Sequence, residues 1–399
     1  MKHKTLYFGG HIITCNLRDE IAEAMLIHDD KILYVGDYET AHCLVDADTE
    51  ILHIGGRAII PTFTDSHCDI FNENLSSQNY EKQLEAAFIS GISRGITTFG
   101  EEGRGGEKGI FYAQKYLNEN PFAMRIVSQI NDSPNTVKGA LATCFSACGI
   151  CTGFGNSHHK IGHYQMTIEA PKNEEFSLGT GFALFLKHLL EHGIAAEFKP
   201  KNKAEAKYAL WCLFYLENAT HFCERCKIQL HFGVDEEILY LISKTKVQVI
   251  IPCNAIVKLD SEAERIFQNI RYYQEKSIPF CFSNYSNLMS PISPFALLSA
   301  VLSLHDSKNH SEQYVNDVKA ILRAMTLHAA MSVMQDEICG SLEWGKAADF
   351  ILLSASPFAI SPSQIQGITP LRVVCNGRVI YDKVDTLSPI PSVYVSTTH

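Results

Sequence analysis

Eight apolar, strand-like runs alternate with helical patterns through the middle of this chain. They are Ala58 to Asp65, Ile96 to Glu101, Met124 to Ile130, Gly162 to Ile168, Gly193 to Lys199, Cys226 to His231, Val247 to Cys253 and Ile278 to Asn284. Alternation of this kind joins parallel strands through helical crossovers and predicts an α/β architecture. Eight units predict a TIM (β/α)8 barrel, which takes about 250 residues. Both ends of the chain have a different texture. Ala24 to His28 and Lys31 to Val35 flank the acidic turn Asp29-Asp30, and Asn376-Gly377 separates Leu371 to Val374 from Arg378 to Tyr381. Asn-Gly between β-branched runs is a strong hairpin signal. The predicted division is therefore residues 1–57 and 345–399 as one small composite β-sandwich domain, with 58–344 as the barrel.

Composition narrows the partners. A formal charge of −10 without a long Lys/Arg cluster argues against nucleic acid as a partner. No apolar run reaches the roughly 18 residues of a membrane span, and Met1-Lys2-His3-Lys4-Thr5 leads into a strand-like segment, unlike a signal peptide. Thirteen cysteines without a secretory signal suggest reduced thiols, and hence a cytoplasmic protein. The expected partner is a small-molecule substrate or ligand; self-association into a homo-oligomer is left open.

The first barrel strand carries the most chemistry. Ile59-Ile60-Pro61-Thr62-Phe63-Thr64-Asp65-Ser66-His67-Cys68-Asp69 places an imidazole and a carboxylate two residues apart. Such positions share one face of a strand, at the end where a barrel keeps its active site. The run resembles the first metal-binding strand of the amidohydrolase superfamily, Pro-Gly-Phe-x-Asp-x-His-x-His, with Thr62 in place of the Gly and Asp69 in place of the second His. The resemblance extends to Gly95-Ile96-Thr97-Thr98, to Thr326-Leu327-His328-Ala329-Ala330, to the segment Gly340 to Asp349, and to Asn376-Gly377-Arg378-Val379. In wording it is nearest the formamide-deformylase-like and cytosine deaminase-like branches. It thins between Asp132 and Glu217.

That resemblance implies hydrolysis of a non-peptide carbon–nitrogen bond, by amide hydrolysis or deamination, through one divalent metal such as zinc, manganese or iron. A bound cation would lower the pKa of a water, and a carboxylate would take its proton. His67, Asp69 and His231, after the sixth strand, are the implied metal ligands, with Glu101, or Glu102 beside it after the second strand, as a replacement carboxylate. A His-x-Asp pair is similar to the membrane dipeptidase branch; Asp69 could equally cap a turn. Two further positions depart from the pattern. Lys199 stands where the fifth strand has a metal His, and Asn284 stands at the catalytic Asp of the eighth. A protonated Lys repels a cation and an amide is no base. Lys199 is thus either a variant catalytic group or a salt-bridged side chain, and Asn284 would orient water or substrate. The alternative is a catalytically degenerate barrel, binding a ligand or partner with no metal.

Cys144, Cys148 and Cys151 have the spacing of the iron–sulfur loop in radical S-adenosylmethionine enzymes. With His158, His159 and His163 close by, a zinc site is also conceivable. Chance spacing in a cysteine-rich chain competes with both readings.

Overall fold

The protein is described by a computed structural model over residues 4–71, 77–120, 124–131, 139–168, 170–171, 176–216, 225–283, 292–304 and 311–383. The N-terminal part supplies β1 (Lys4–Ile13), β2 (Ile21–His28), β3 (Lys31–Gly36), β4 (Glu50–His53) and β5 (Ala58–Pro61). The middle supplies β6 (Phe63–Cys68), β7 (Ile96–Glu101), β8 (Arg125–Ile130) and β9 (His159–Met166). It continues with β10 (Ala196–Phe198), β11 (Lys227–Gln229), β12 (Gln248–Pro252) and β13 (Phe280–Ser283). Last come β14 (Phe350–Leu353), β15 (Pro370–Cys375) and β16 (Arg378–Asp382).

β6 to β13 pair in chain order, every ladder parallel, to make the eight-stranded sheet of a (β/α)8 barrel. Ser66 Oγ, on the first strand, donates to the Phe282 carbonyl on the last at 2.7 Å and draws the two edges together. Helices such as Gly181–Glu191, Glu236–Thr245 and Ser261–Glu275 cover the outside. Their starts are fixed by side-chain caps: Thr180 accepts from the Ala183 N–H, Asp235 from that of Ile238, and Asp260 from that of Ala263. Each cap satisfies a backbone donor that the first helical turn leaves open.

The remaining strands form a second sheet, in the order β16-β15-β14-β5-β1-β2-β3, with β4 added against β1. Both chain ends build it, as predicted. Its Asn376-Gly377 turn has φ of +49° and +71°, the left-handed pair a two-residue hairpin requires. Gly377 is needed for a second reason: a Cβ there would run into the Asp29 carbonyl.

The run Ala58 to Asp65, predicted as one barrel strand, proves to be two. β5 pairs with β1 and β14 in the small sheet, and only from Phe63 does the chain enter the barrel. The crossing is at Thr62, whose N–H donates to the Asp349 carbonyl (3.2 Å) and whose hydroxyl accepts from Thr97 (2.7 Å). A continuous apolar run is expected for a strand buried on both faces, so the sequence alone does not mark the change of sheet. The fourth strand also starts earlier than predicted, at His159, and the fifth and sixth are shorter.

One ion pair fastens the two sheets together. Arg125 opens β8 and is wholly buried; its guanidinium binds the Asp349 carboxylate and the Asn376 side chain. Asp349 in turn accepts from the Asn376 N–H at 2.6 Å. Removing one partner of such a pair strands the other charge in the interior. Asp349→Ala should therefore lower the unfolding free energy by about 3–5 kcal/mol, while a well-packed apolar replacement of both residues should recover much of that loss. Urea unfolding of the three proteins checks both statements.

Candidate functional site

The site is built at the carboxyl ends of the barrel strands. His67, next to last in β6, is buried with a carboxylate at each ring nitrogen. Glu197 of β10 lies 3.0 Å from Nδ1, and Glu102, just beyond β7, lies 3.5 Å from Nε2. The 3.0 Å contact is off the line of the ring N–H, so it is a close ion-pair contact more than an aligned hydrogen bond. Burial would lower the His67 pKa; the Glu197 carboxylate, helped by Glu102, outweighs it and raises the pKa. An imidazole held between two carboxylates is favoured as its cation.

Each carboxylate also meets a lysine; burial lowers the pKa of the one at Glu197, Lys227, and the Glu197 carboxylate opposes that shift. Lys227 is the first residue of β11 and stands directly opposite Glu197 across the ladder. Both are fully buried; Lys227 Nζ is 3.4 Å from Glu197 Oε2 and 3.4 Å from the Ser66 carbonyl it donates to. Burial alone would push the Glu197 carboxyl up, but Lys227 and then His67 hold it well below the usual range. Lys199 shares a strand face with Glu197, two residues on. Its ammonium binds Glu102, and Arg104 Nε approaches the other oxygen of that carboxylate at 2.9 Å. Burial raises the Glu102 pKa, and His67 and Lys199 more than reverse this, to about 2. Gln165 of β9 donates to the Glu102 carbonyl at 2.6 Å. Asp69 completes the network through Arg104, at 3.2 Å.

The predicted site residues separate within this arrangement. His67, Asp69 and Lys199 are brought into one network, and Lys199 is salt-bridged. Glu101 is not the carboxylate beside His67: its Oε2 accepts from the Gly103 N–H at 2.8 Å, while its neighbour Glu102 reaches the imidazole. His231 follows β11 as an exposed side chain with its ring against Phe232. Asn284 lies outside the described residues. The cysteines do not gather: Cys144 and Cys148 are exposed, Cys151 is half-buried, and all three are free thiols. The nearby histidines have other partners. His159 is held by Gln114 (2.7 Å) and Ser128 (2.9 Å), and His163 lies 2.8 Å from the Arg225 carbonyl.

Glu197 and Lys227 were not predicted. The available signal was a charged residue inside an apolar run, at Ile194-Ala195-Ala196-Glu197-Phe198 and at Cys226-Lys227-Ile228. Interior parallel strands are normally apolar throughout.

Comparison with known proteins agrees with this architecture. Residues 305–381 match the model of an amidohydrolase family. YtcJ of Bacillus subtilis (strain 168), named as a candidate amidohydrolase, is 30% identical over 100 residues. That match spans 24% of this chain and only 19% of YtcJ. A metal-dependent hydrolase from Pyrococcus furiosus superposes with a TM-score of 0.69 at 14% identity, over 89% of this chain and 100% of its own. The chain has the amidohydrolase fold. A zinc-bound adenosine deaminase from Xanthomonas campestris (TM-score 0.68, 12% identity, 96% and 94% of the two chains) shares it. So does the E. coli guanine deaminase (0.62, 15%, 96% and 99%).

A metal is implied by this fold, and the donor set tests whether one fits. Among the described residues no group of three or more His, Cys, Asp or Glu side chains could hold a metal ion. The carboxylates of Glu197 and Glu102 are already met by Lys227, Lys199 and Arg104. Counted as charges, Asp69, Glu102 and Glu197 face Lys199, Lys227 and Arg104, with the His67 imidazole as a further positive partner when protonated. The described residues therefore do not fit the metal centre of this fold.

Glu101 carries the clearest pH signature. Burial pushes its carboxyl up from 4.5 to about 7. Between those values the unfolded chain has released the proton and the folded one still holds it, so stability falls as pH rises through that window. Glu101→Gln removes this dependence. It should match the parent protein near pH 4.5 and exceed it by up to about 3 kcal/mol at pH 8. Urea unfolding at the two pH values is the check.

Proposed function

We propose that this protein is an amidohydrolase-like barrel, related to hydrolases of carbon–nitrogen bonds, that binds a small polar molecule at its mouth without a catalytic metal. The observation that carries this reading is that each carboxylate around His67 already has positively charged partners. A divalent cation would add charge to a cluster whose carboxylates already have partners, and it would face Lys227 and Lys199. Such a mouth suits a neutral or zwitterionic ligand with both hydrogen-bond donors and acceptors, since its charged groups present both. A reducing, cytoplasmic setting is consistent with exposed free thiols such as Cys43, Cys144 and Cys148. Among the described residues no helix is long and apolar enough to cross a membrane.

A second reading is hydrolysis of a non-peptide carbon–nitrogen bond through an altered metal centre, with His67, Asp69, His231 and Glu101 as ligands and Asn284 orienting water or substrate. The observation in its favour is that neither Glu197 oxygen has an aligned hydrogen bond, although both are buried. Metal analysis separates the two. Protein purified without chelator, incubated with zinc or manganese and then desalted, is expected to retain far less than one equivalent. It is also expected to hydrolyse neither simple amides nor aminated heterocycles. One equivalent of metal that disappears in His67→Ala, with measurable turnover, would establish the second reading instead.

A further inference from the structure

Arg104 is the most exposed charge of the network at the mouth. It stands on the turn after β7, between two glycines, and that turn is held in place. The Gly103 N–H donates to Glu101 Oε2 at 2.8 Å, and the Gly106 N–H donates to the Gly103 carbonyl at 2.9 Å. Gly103 has φ of +81°, and a Cβ there would strike the Gln129 carbonyl, so the turn lies tight against β8. Both ion pairs of the Arg104 guanidinium run through Nε, 2.9 Å from Glu102 Oε2 and 3.2 Å from Asp69 Oδ1. Among the described residues nothing hydrogen-bonds Nη1 or Nη2, the two-pronged end of the group. The Arg104 side chain is 46% exposed, against 33% for Asp69 and 12% for Glu102.

We infer that this side of the mouth holds a zwitterionic α-amino acid, its carboxylate on the Arg104 prongs and its ammonium on Asp69. The inference rests on the metal-free reading above and narrows its ligand from small polar molecules to one class. A guanidinium offers a carboxylate two parallel N–H donors, a geometry an ammonium lacks. Charge favours a carboxylate as well. With His67 protonated, the four cations His67, Lys199, Lys227 and Arg104 face three carboxylates, Asp69, Glu102 and Glu197. The ligand's ammonium has one acceptor within the network. Glu197 is fully buried, and the two oxygens of Glu102 already meet Lys199 and Arg104 Nε, which leaves the partly exposed Asp69. Arg104 and Asp69 thus stand side by side, positive next to negative, and complement the adjacent carboxylate and ammonium of an amino acid.

The test is calorimetric titration near neutral pH with alanine of either hand, propionate and alaninamide. The proteins are the parent chain, Arg104→Gln, Arg104→Lys and Asp69→Asn, with thermal melts to show that each is folded. The parent is expected to bind one equivalent of alanine. Propionate, which lacks the ammonium, and alaninamide, which lacks the carboxylate, should each bind about 10-fold or more weakly, the range for hydrogen bonds to charged groups. Arg104→Gln should weaken alanine by about 10–100-fold and bring it level with alaninamide. Asp69→Asn should bring alanine level with propionate. If Arg104→Gln does not fold, Arg104→Lys decides: it keeps the charge without the fork and should still lose most of the preference for alanine over alaninamide. This inference alone is overturned if neither alanine binds the parent, if propionate or alaninamide binds as tightly, or if a folded Arg104 variant binds alanine as the parent does. Alanine that binds only after the parent has taken up one tight equivalent of zinc overturns the metal-free reading with it.

Discussion

A carboxylate removed from water has to be met by positive charge, and the centre of this protein is arranged around that requirement at Glu197. The side chain is fully buried on a short barrel strand, with Lys227 across the ladder on one side and His67 on the other. Neither neighbour would be tolerated there alone. An isolated ammonium or imidazolium in a barrel interior loses its hydration without compensation. The three residues therefore require one another, and through Glu102 they fix Lys199 and Arg104 as well. What occupies the mouth of this barrel is a network in which every carboxylate meets a cationic partner.

The fold that holds this network is equally dependent on a buried charge. Arg125 and Asp349 lie between the barrel and the small sheet, and Asp349 also orders the Asn376-Gly377 hairpin. The N-terminal and C-terminal strands meet through β5 and β14. The same chain segment, Ala58 to Cys68, thus contributes to both sheets and delivers His67 to the mouth. Position of the site and integrity of the small sheet are mechanically linked, because strand β5 anchors the start of β6.

Much of this architecture was legible in the residues. Alternation of strand and helix gave the barrel, and turn chemistry gave the hairpins at Asp29-Asp30 and Asn376-Gly377. The strand-one pattern singled out His67 and Asp69, and the family pattern on the fifth strand singled out Lys199 as a departure. Pattern could not separate Glu101 from Glu102, because adjacent residues at a strand end face opposite ways and the end itself was uncertain. Nor could it show that Ala58 to Asp65 changes sheets, since both parts are buried on both faces. The Cys144, Cys148 and Cys151 spacing matched a cluster loop, yet spacing says nothing of where the sulfurs point, and here two are exposed and one half-buried.

By itself the sequence determined the period of its strands and helices, its turns and the chemical types available at the mouth, because these depend on neighbours along the chain. Only the tertiary structure decided which charges meet. Glu197 and Lys227 are thirty residues apart, and His67 lies far from both in sequence. Their pairing follows from parallel register across adjacent strands and from closure of the barrel. No local pattern encodes that register. The physical reason is that a buried charge is stabilised by whatever lies within a few ångströms in space, a distance that the order of residues does not record.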